Sequence, residues 1–122
     1  MIIEIPKITD YIEINNLAKQ VHRLHVKWRP DLYLDIDEVI KKEDLKEKIQ
    51  SNEIIVAKMQ NNIVGYVTFN IQEKNNPIMR YRKQLQIEAI CVDENNRCKG
   101  IGTELLKHLK NIAKEKDCTD MY

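Results

Sequence analysis

Two of the three glycines in this 122-residue chain stand two positions apart, within Arg97-Cys98-Lys99-Gly100-Ile101-Gly102. That run suits an anion. Glycine has no Cβ, so a ligand can approach the main chain closely. Where a helix follows, its first turn presents amides without intrahelical partners, and its dipole favours negative charge. Arg97 and Lys99 add positive charge to those donors. Several amides converging at close range are what a pyrophosphate requires. The run is not a Walker-type loop, because no Gly-Lys-Ser/Thr completes it. It is not a dinucleotide fingerprint, which needs G-x-G-x-x-G.

Such a loop must be delivered by a strand and left by a helix. Gln84 to Val92 predicts the strand. Thr103 to about Lys116 predicts the helix, with Leu105, Leu106, Leu109, Ile112 and Ala113 as its apolar stripe and four lysines opposite. Further upstream, Ile2 to Ile8 predicts a first strand. Asp10 and Glu13 have the spacing of a capping box. Ile14, Leu17, Ala18, Val21 and Leu24 then recur at helical spacing up to about His25. Arg29-Pro30-Asp31 ends that helix, since proline removes a donor and biases its predecessor away from helix. Asp35 to Ser51 predicts a second helix, broken near Lys41. Glu53 to Met59 and Ile63 to Ile71 predict two strands around the turn Gln60-Asn61-Asn62. Gln72 to Lys83, polar and containing Pro77, predicts a loop. Cys118 to Tyr122 predicts the start of one more strand. The order is β-α-α-β-β-β-α-(β), a mixed α+β arrangement in one domain over residues 1–122.

Bulk properties narrow the function. Hydrophobic residues make up 43% of the chain, enough for a core, and 32% are charged with a net of only +1. That balance argues against a nucleic-acid partner. No apolar run approaches the ~20 residues that cross a bilayer, and no leader-like segment follows Met1. Cys91, Cys98 and Cys118 form no Cys-x-x-Cys pair, and the three histidines complete no zinc pattern. A reduced, cytoplasmic protein without a metal is expected.

Arg-x-x-Gly-x-Gly directly after Ile90-Cys91-Val92-Asp93, and directly before Thr103-x-Leu105-Leu106, resembles the signature of the GNAT superfamily of N-acetyltransferases. The order of elements is similar from Ile2 to Lys116. Gly65 stands where that family commonly carries a glycine in its third strand, and His25 to Tyr33 is similar to a segment of one bacterial subgroup. The resemblance implies a GNAT-like fold with acetyl-CoA, as co-substrate, in a wedge between the fourth and fifth strands. Main-chain amides from Cys98, Lys99, Gly100, Ile101, Gly102 and Thr103 would hold the pyrophosphate, beside Arg97. Ile90, Cys91 and Val92 would lie along the pantetheine arm. A primary amine, on a small molecule or peptide, would attack the thioester directly. Glu88 would act as the base, its pKa raised by apolar neighbours, with Gln86 positioning water or substrate. Asp35, Asp37 and Glu38, with His22, His25 and Trp28, are candidates for the acceptor side.

Two departures from the family pattern bear on these expectations. Cys98 stands where many relatives have glycine or a larger residue. The chain stops at Tyr122, ahead of the α-β-β that usually supplies a thiolate-protonating tyrosine and one wall of the wedge, so the domain is expected to be incomplete at its C-terminus. A thiol of pKa ~8.5 still leaves readily. An uncovered edge at Gln84 to Val92 would favour a homodimer. The alternative to an active enzyme is an acyl-CoA-binding or oligomerising module with little turnover.

Overall fold

In the computed structural model, residues 1–97 and 99–122 are described, so Cys98 and its expected role lie outside them. One five-stranded sheet runs in the order β1 (Ile2–Glu4), β2 (Ile54–Met59), β3 (Asn62–Lys74), β4 (Arg82–Val92), β5 (Asp120–Met121). The first four strands pair antiparallel with one another, whereas β5 runs parallel to β4. Three helices cover the sheet: α1 (Tyr11–Trp28), α2 (Lys42–Gln50) and α3 (Ile101–Glu115). The architecture is the expected mixed α+β one.

Both faces of the sheet are buried, and the strands show it. In β2, Ile54 and Val56 face α1 and α2, while Ile55 and Ala57 face α3, and all four are buried. This explains why β2 reads as an apolar run without alternation. On the α3 side, Leu105 and Leu109 pack with Val67, Phe69 and Leu85, all fully buried. On the other side, Ile14, Leu17 and Leu45 pack with Ile63, Tyr66 and Cys91. Among the described residues, no helix is long and apolar enough to cross a membrane.

Several boundaries differ from the sequence expectation, each for a physical reason. The first strand ends at Glu4, and a single 3₁₀ turn covers Ile8–Asp10; Pro6 has no N–H with which to continue the ladder. Asp10 and Glu13 form no capping box. Asp10 accepts from the Lys7 amide at 2.9 Å, and Glu13 accepts from the Ile63 amide at 2.9 Å. Helix α1 continues past His25 to Trp28. The second helix begins only at Lys42, at the anticipated break. Residues 35–41 are not helical because α1 side chains satisfy their main chain. Asn15 Oδ1 accepts from the amides of Val39 and Ile40 at 3.0 Å each, and the Tyr11 hydroxyl donates to the Ile40 carbonyl at 2.6 Å. The predicted loop at Gln72 to Lys83 shrinks to residues 75–81, since Gln72, Glu73 and Lys74 pair with Gln84, Lys83 and Arg82. A polar two-strand extension is stable once the hairpin below it is zipped.

Gly65 shows how tightly α3 is seated. A Cβ there would lie 3.1 Å from Ile101 Cγ2, 3.2 Å from the Cys91 carbonyl and 3.3 Å from Leu105 Cδ1. Only glycine lets the N-terminal turn of α3 approach β3 so closely.

Candidate active site

Two irregularities converge at the centre of β4. The first is a β-bulge. Thr68 pairs with Ala89 and Phe69 with Ile87, so Glu88 has no opposite residue on β3. Bulges re-aim side chains and often lie next to active sites. Here the bulge turns Glu88 toward α2, where its carboxylate pairs with the Lys48 ammonium. The second irregularity is the short reach of β5. Its bonds to β4 run from the Lys83 carbonyl, met by Thr119 N–H at 2.7 Å, to the Ile87 amide, which donates to the Tyr122 carbonyl. Beyond Ile87, no described strand lies against that edge of β4.

The bulge also changes which main-chain groups reach the edge. Before it, Lys83, Leu85 and Ile87 turn their main chain toward β5; after it, the Asp93 amide donates to the Val64 carbonyl of β3 at 2.8 Å. Alternation along a strand then points the amides of Ile90 and Val92 at the open edge and that of Cys91 at β3. The three expected pantetheine residues therefore divide. Ile90 is 40% exposed, Val92 lies half-buried beside α3, and Cys91 is buried with its thiol on the α1 side beside Tyr66. Burial pushes the Cys91 thiol up, against a smaller downward pull from the Tyr66 hydroxyl, and burial pushes Tyr66 itself far up. Neither group is set to ionise, so Cys91 has the character of a packed side chain and not of a nucleophile.

The loop after β4 is held by a polar network from α1. Gln20 Nε2 donates to Asp93 Oδ1 at 2.9 Å, and Gln20 Oε1 accepts from the Glu94 amide at 3.0 Å. Asn96 Nδ2 donates to Asp93 Oδ2 at 2.7 Å, and Lys99 Nζ donates to Asn96 Oδ1 at 3.2 Å. The hydrogen bond from Gln20 is the largest cause holding the Asp93 carboxyl below its ordinary value, with Asn96 and loop amides adding to it. Arg97 and Lys99 are exposed.

Helix α3 starts at Ile101, two residues earlier than expected, so Gly102 and Thr103 belong to its first turn. Gly100 is the N-cap, with φ 77° in the left-handed region, and no side chain caps the helix. A Cβ on Gly100 would meet nothing within 4 Å, and one on Gly102 would meet only Val92 Cγ2, at 3.9 Å. Among the described residues, no acceptor takes the amides of Ile101, Gly102 and Thr103. The Ile101 side chain is buried beneath them and contributes its main chain alone.

The expected apolar enclosure of Glu88 is absent. Its side chain is 39% exposed and ion-paired. It opens instead on a cavity of about 250 Å³ lined by Val39, Ile40, Asp44, Leu45, Lys48 and Thr68, among others. The acidic candidates Asp35, Asp37 and Glu38 do not line that cavity. Asp37 pairs with Lys19 at 3.2 Å. His22 and His25 cluster with Tyr33 away from it, with ring centroids 6.1 and 5.1 Å from the tyrosine, and Trp28 is 67% exposed. Gln86 meets Gln72 Nε2 at 3.3 Å. Sequence patterning missed Lys48 and Gln20. Neither belongs to a motif, and each acts on residues far along the chain.

The sequence profile of the acetyltransferase (GNAT) family matches residues 18–122. The chain belongs to that family. No curated protein matches it. Among solved structures, a variant of the BH1408 protein from Bacillus halodurans is similar over 100% of this chain and 80% of its own, at 26% identity and a TM-score of 0.91. An acetyltransferase from Vibrio fischeri is similar over 100% and 93%, at 18% identity and a TM-score of 0.78. The aminoglycoside N-acetyltransferase AAC(6')-Iy, in complex with CoA, is similar over 99% and 76%, at 16% identity and a TM-score of 0.70. The last two likenesses show the shared fold.

Proposed function

We propose that the chain transfers an acetyl group from acetyl-CoA to a primary amine by direct attack on the thioester. The observation that carries this reading is one strand, β4, whose bulge presents Glu88 to a cavity and whose open edge leads from there to Val92, beside the glycine-led start of α3. The residues fit acetyl-CoA. First-turn amides at Ile101, Gly102 and Thr103, which meet no acceptor among the described residues, suit a pyrophosphate, as does the open space where a Gly100 Cβ would stand. Amides of Ile90 and Val92 on the open edge suit the amide-bearing pantetheine arm, so the role expected of Cys91 becomes one of packing. Bound there, acetyl-CoA supplies the acyl group as a thioester. Arg97 and Lys99 add charge near the phosphates. The cavity beside Glu88 admits the amine, with Val39, Ile40 and Leu45 as its apolar wall and Asp44 as a second acidic group. Glu88 removes a proton from the ammonium, directly or through water, because only the neutral amine is nucleophilic.

The support is threefold: family membership, the neighbour whose structure contains CoA, and the geometry at Glu88. Release of free thiol from acetyl-CoA, followed with a panel of small amines and lysine peptides, tests the reading. Amine-dependent release is expected. Glu88→Gln should bind CoA as wild type while turnover falls about 10²–10⁴-fold, as for a lost general base. Thiol release that ignores every amine, or equal rates for wild type and Glu88→Gln, would overturn it.

A further inference from the structure

We propose that Lys48 is a positioning residue that clamps the β4 bulge and aims the Glu88 carboxylate into the acceptor cavity. The inference rests on the reading of Glu88 as the base and deepens it. Lys48 stands in the last turn of α2, and its ammonium meets three acceptors from separate strands or strand ends. It pairs with Glu88 at the bulge, donates to the Phe69 carbonyl at 3.1 Å, and lies 3.9 Å from Glu53 Oε1. A bulge disrupts the ladder beside it. Phe69 is the β3 residue at that disruption, and its carbonyl takes an ammonium donor from a helix. Its amide, turned to the same β2-facing side, donates to the Glu53 carbonyl at 3.0 Å.

Glu53 is itself fixed, because its Oε2 accepts from the Ile71 amide at 3.2 Å. Lys48 therefore sits between a carboxylate anchored to β3 and the carboxylate of the extra residue on β4. A solvated lysine would extend away from the protein. This one is only 26% exposed and lines the cavity that Glu88 opens on. Two hydrogen bonds and a longer ion pair to Glu53 hold the ammonium, so one charge locks the relative positions of α2, β3 and the bulge. Removing it would leave two carboxylates facing each other and the Phe69 carbonyl without its donor. Arginine carries the same charge and can span the same acceptors; methionine keeps the length and loses every bond.

Amide exchange of Ile87 to Ala89, read by NMR, tests the clamp without reference to activity. Lys48→Met should speed that exchange by about tenfold or more, as loss of a charged hydrogen bond does to a local opening equilibrium. Lys48→Arg should restore protection. A thermal melt confirms that both variants fold. Kinetics with acetyl-CoA, and with spermidine and a lysine peptide as acceptors, add the functional arm. Lys48→Met should lower kcat about 10²-fold, as misplacement of a reacting group by 1 Å does. KM for acetyl-CoA should stay unchanged. Introduced into Glu88→Gln, Lys48→Met should cost nothing further. Unchanged exchange, or an equal loss of kcat in the Glu88→Gln background, overturns the proposal. Faster exchange with full activity in Glu88→Gln leaves the clamp standing and removes Glu88 as the base.

Discussion

Glu88 and Gly100 show how little side-chain chemistry this site uses. Two carboxylates, Glu88 and Asp44, line the cavity proposed for the acceptor, and the donors proposed for the cofactor are main-chain amides. Substitution at Gly100 separates the two contributions of a glycine. Its φ of 77° disfavours any L side chain, but an added Cβ meets no protein atom. Gly100→Ala should therefore cost about 1–2 kcal/mol of backbone strain and still fold. Its affinity for CoA should fall, because the Cβ occupies the space before the amides. A melt and CoA calorimetry on one preparation check both. Asp93 makes a pH-dependent prediction. Its carboxyl is held below the ordinary value, first by Gln20. A depressed native pKa contributes stability above the unfolded value, near ~3.9, and loses it as pH falls through the native one. Gln20→Ala should then cost about 1 kcal/mol at neutral pH. The gap to wild type should narrow in acid, as Asp93 is protonated in both proteins. Urea melts at pH 7 and in the acid range measure the gap; a constant one would remove Asp93 from the explanation.

At the level of elements, the seat of α3 on β3 decides where the amides point. A Cβ at Gly65 would lie 3.1–3.3 Å from Ile101, Cys91 and Leu105, two of them in the first turns of α3. A glycine-to-alanine change in a strand ordinarily helps, because glycine there sacrifices entropy. Here the sign reverses. Gly65→Val should destabilise by about 1–3 kcal/mol through overpacking, and CoA affinity should fall with it, since α3 must shift as a body. A melt and calorimetry on the variant test the coupling; lost stability with unchanged affinity would show that the helix start holds its place independently. The segment at 35–41 shows the complementary effect. Asn15 captures two of its amides, and a helical-looking pattern becomes a non-helical segment whose Val39 and Ile40 line the cavity beside Glu88.

Across the whole molecule, one sheet separates two cores, and each strand side chain belongs to one or the other. Leu109 is fully buried in the core beneath α3. Leu109→Ala should cost about 2–5 kcal/mol, a large part of the 5–15 kcal/mol typical of a domain. Because β2 and β3 serve both cores, the loss should not be confined to α3. Trp28 fluorescence, reporting from the end of α1, and far-ultraviolet circular dichroism should show one coincident denaturant transition, shifted as a whole. Separate midpoints would mean that the two faces unfold independently.

Local pattern alone determined much of this protein. Apolar spacing located α1, α3, β2, β3 and β4 closely and gave α2 and β1 with overlong bounds, since burying one stripe or face imposes its period wherever the chain folds. The paired glycines marked the helix start because their backbone freedom is written in the residue type. Glu88 was singled out as a candidate from its strand and the family resemblance, but not its ion pair with Lys48. What tertiary structure decided depends on partners distant in sequence. The bulge exists only as a mismatch between β3 and β4. Lys48 reaches Glu88 across 40 positions, and Gln20 reaches Asp93 across 73. Residues 35–41 kept a helical pattern and lost the helix to Asn15 and Tyr11. A one-residue register slip and a hydrogen bond from another helix leave no period in the sequence, so they become visible only when the packed sheet brings their partners together.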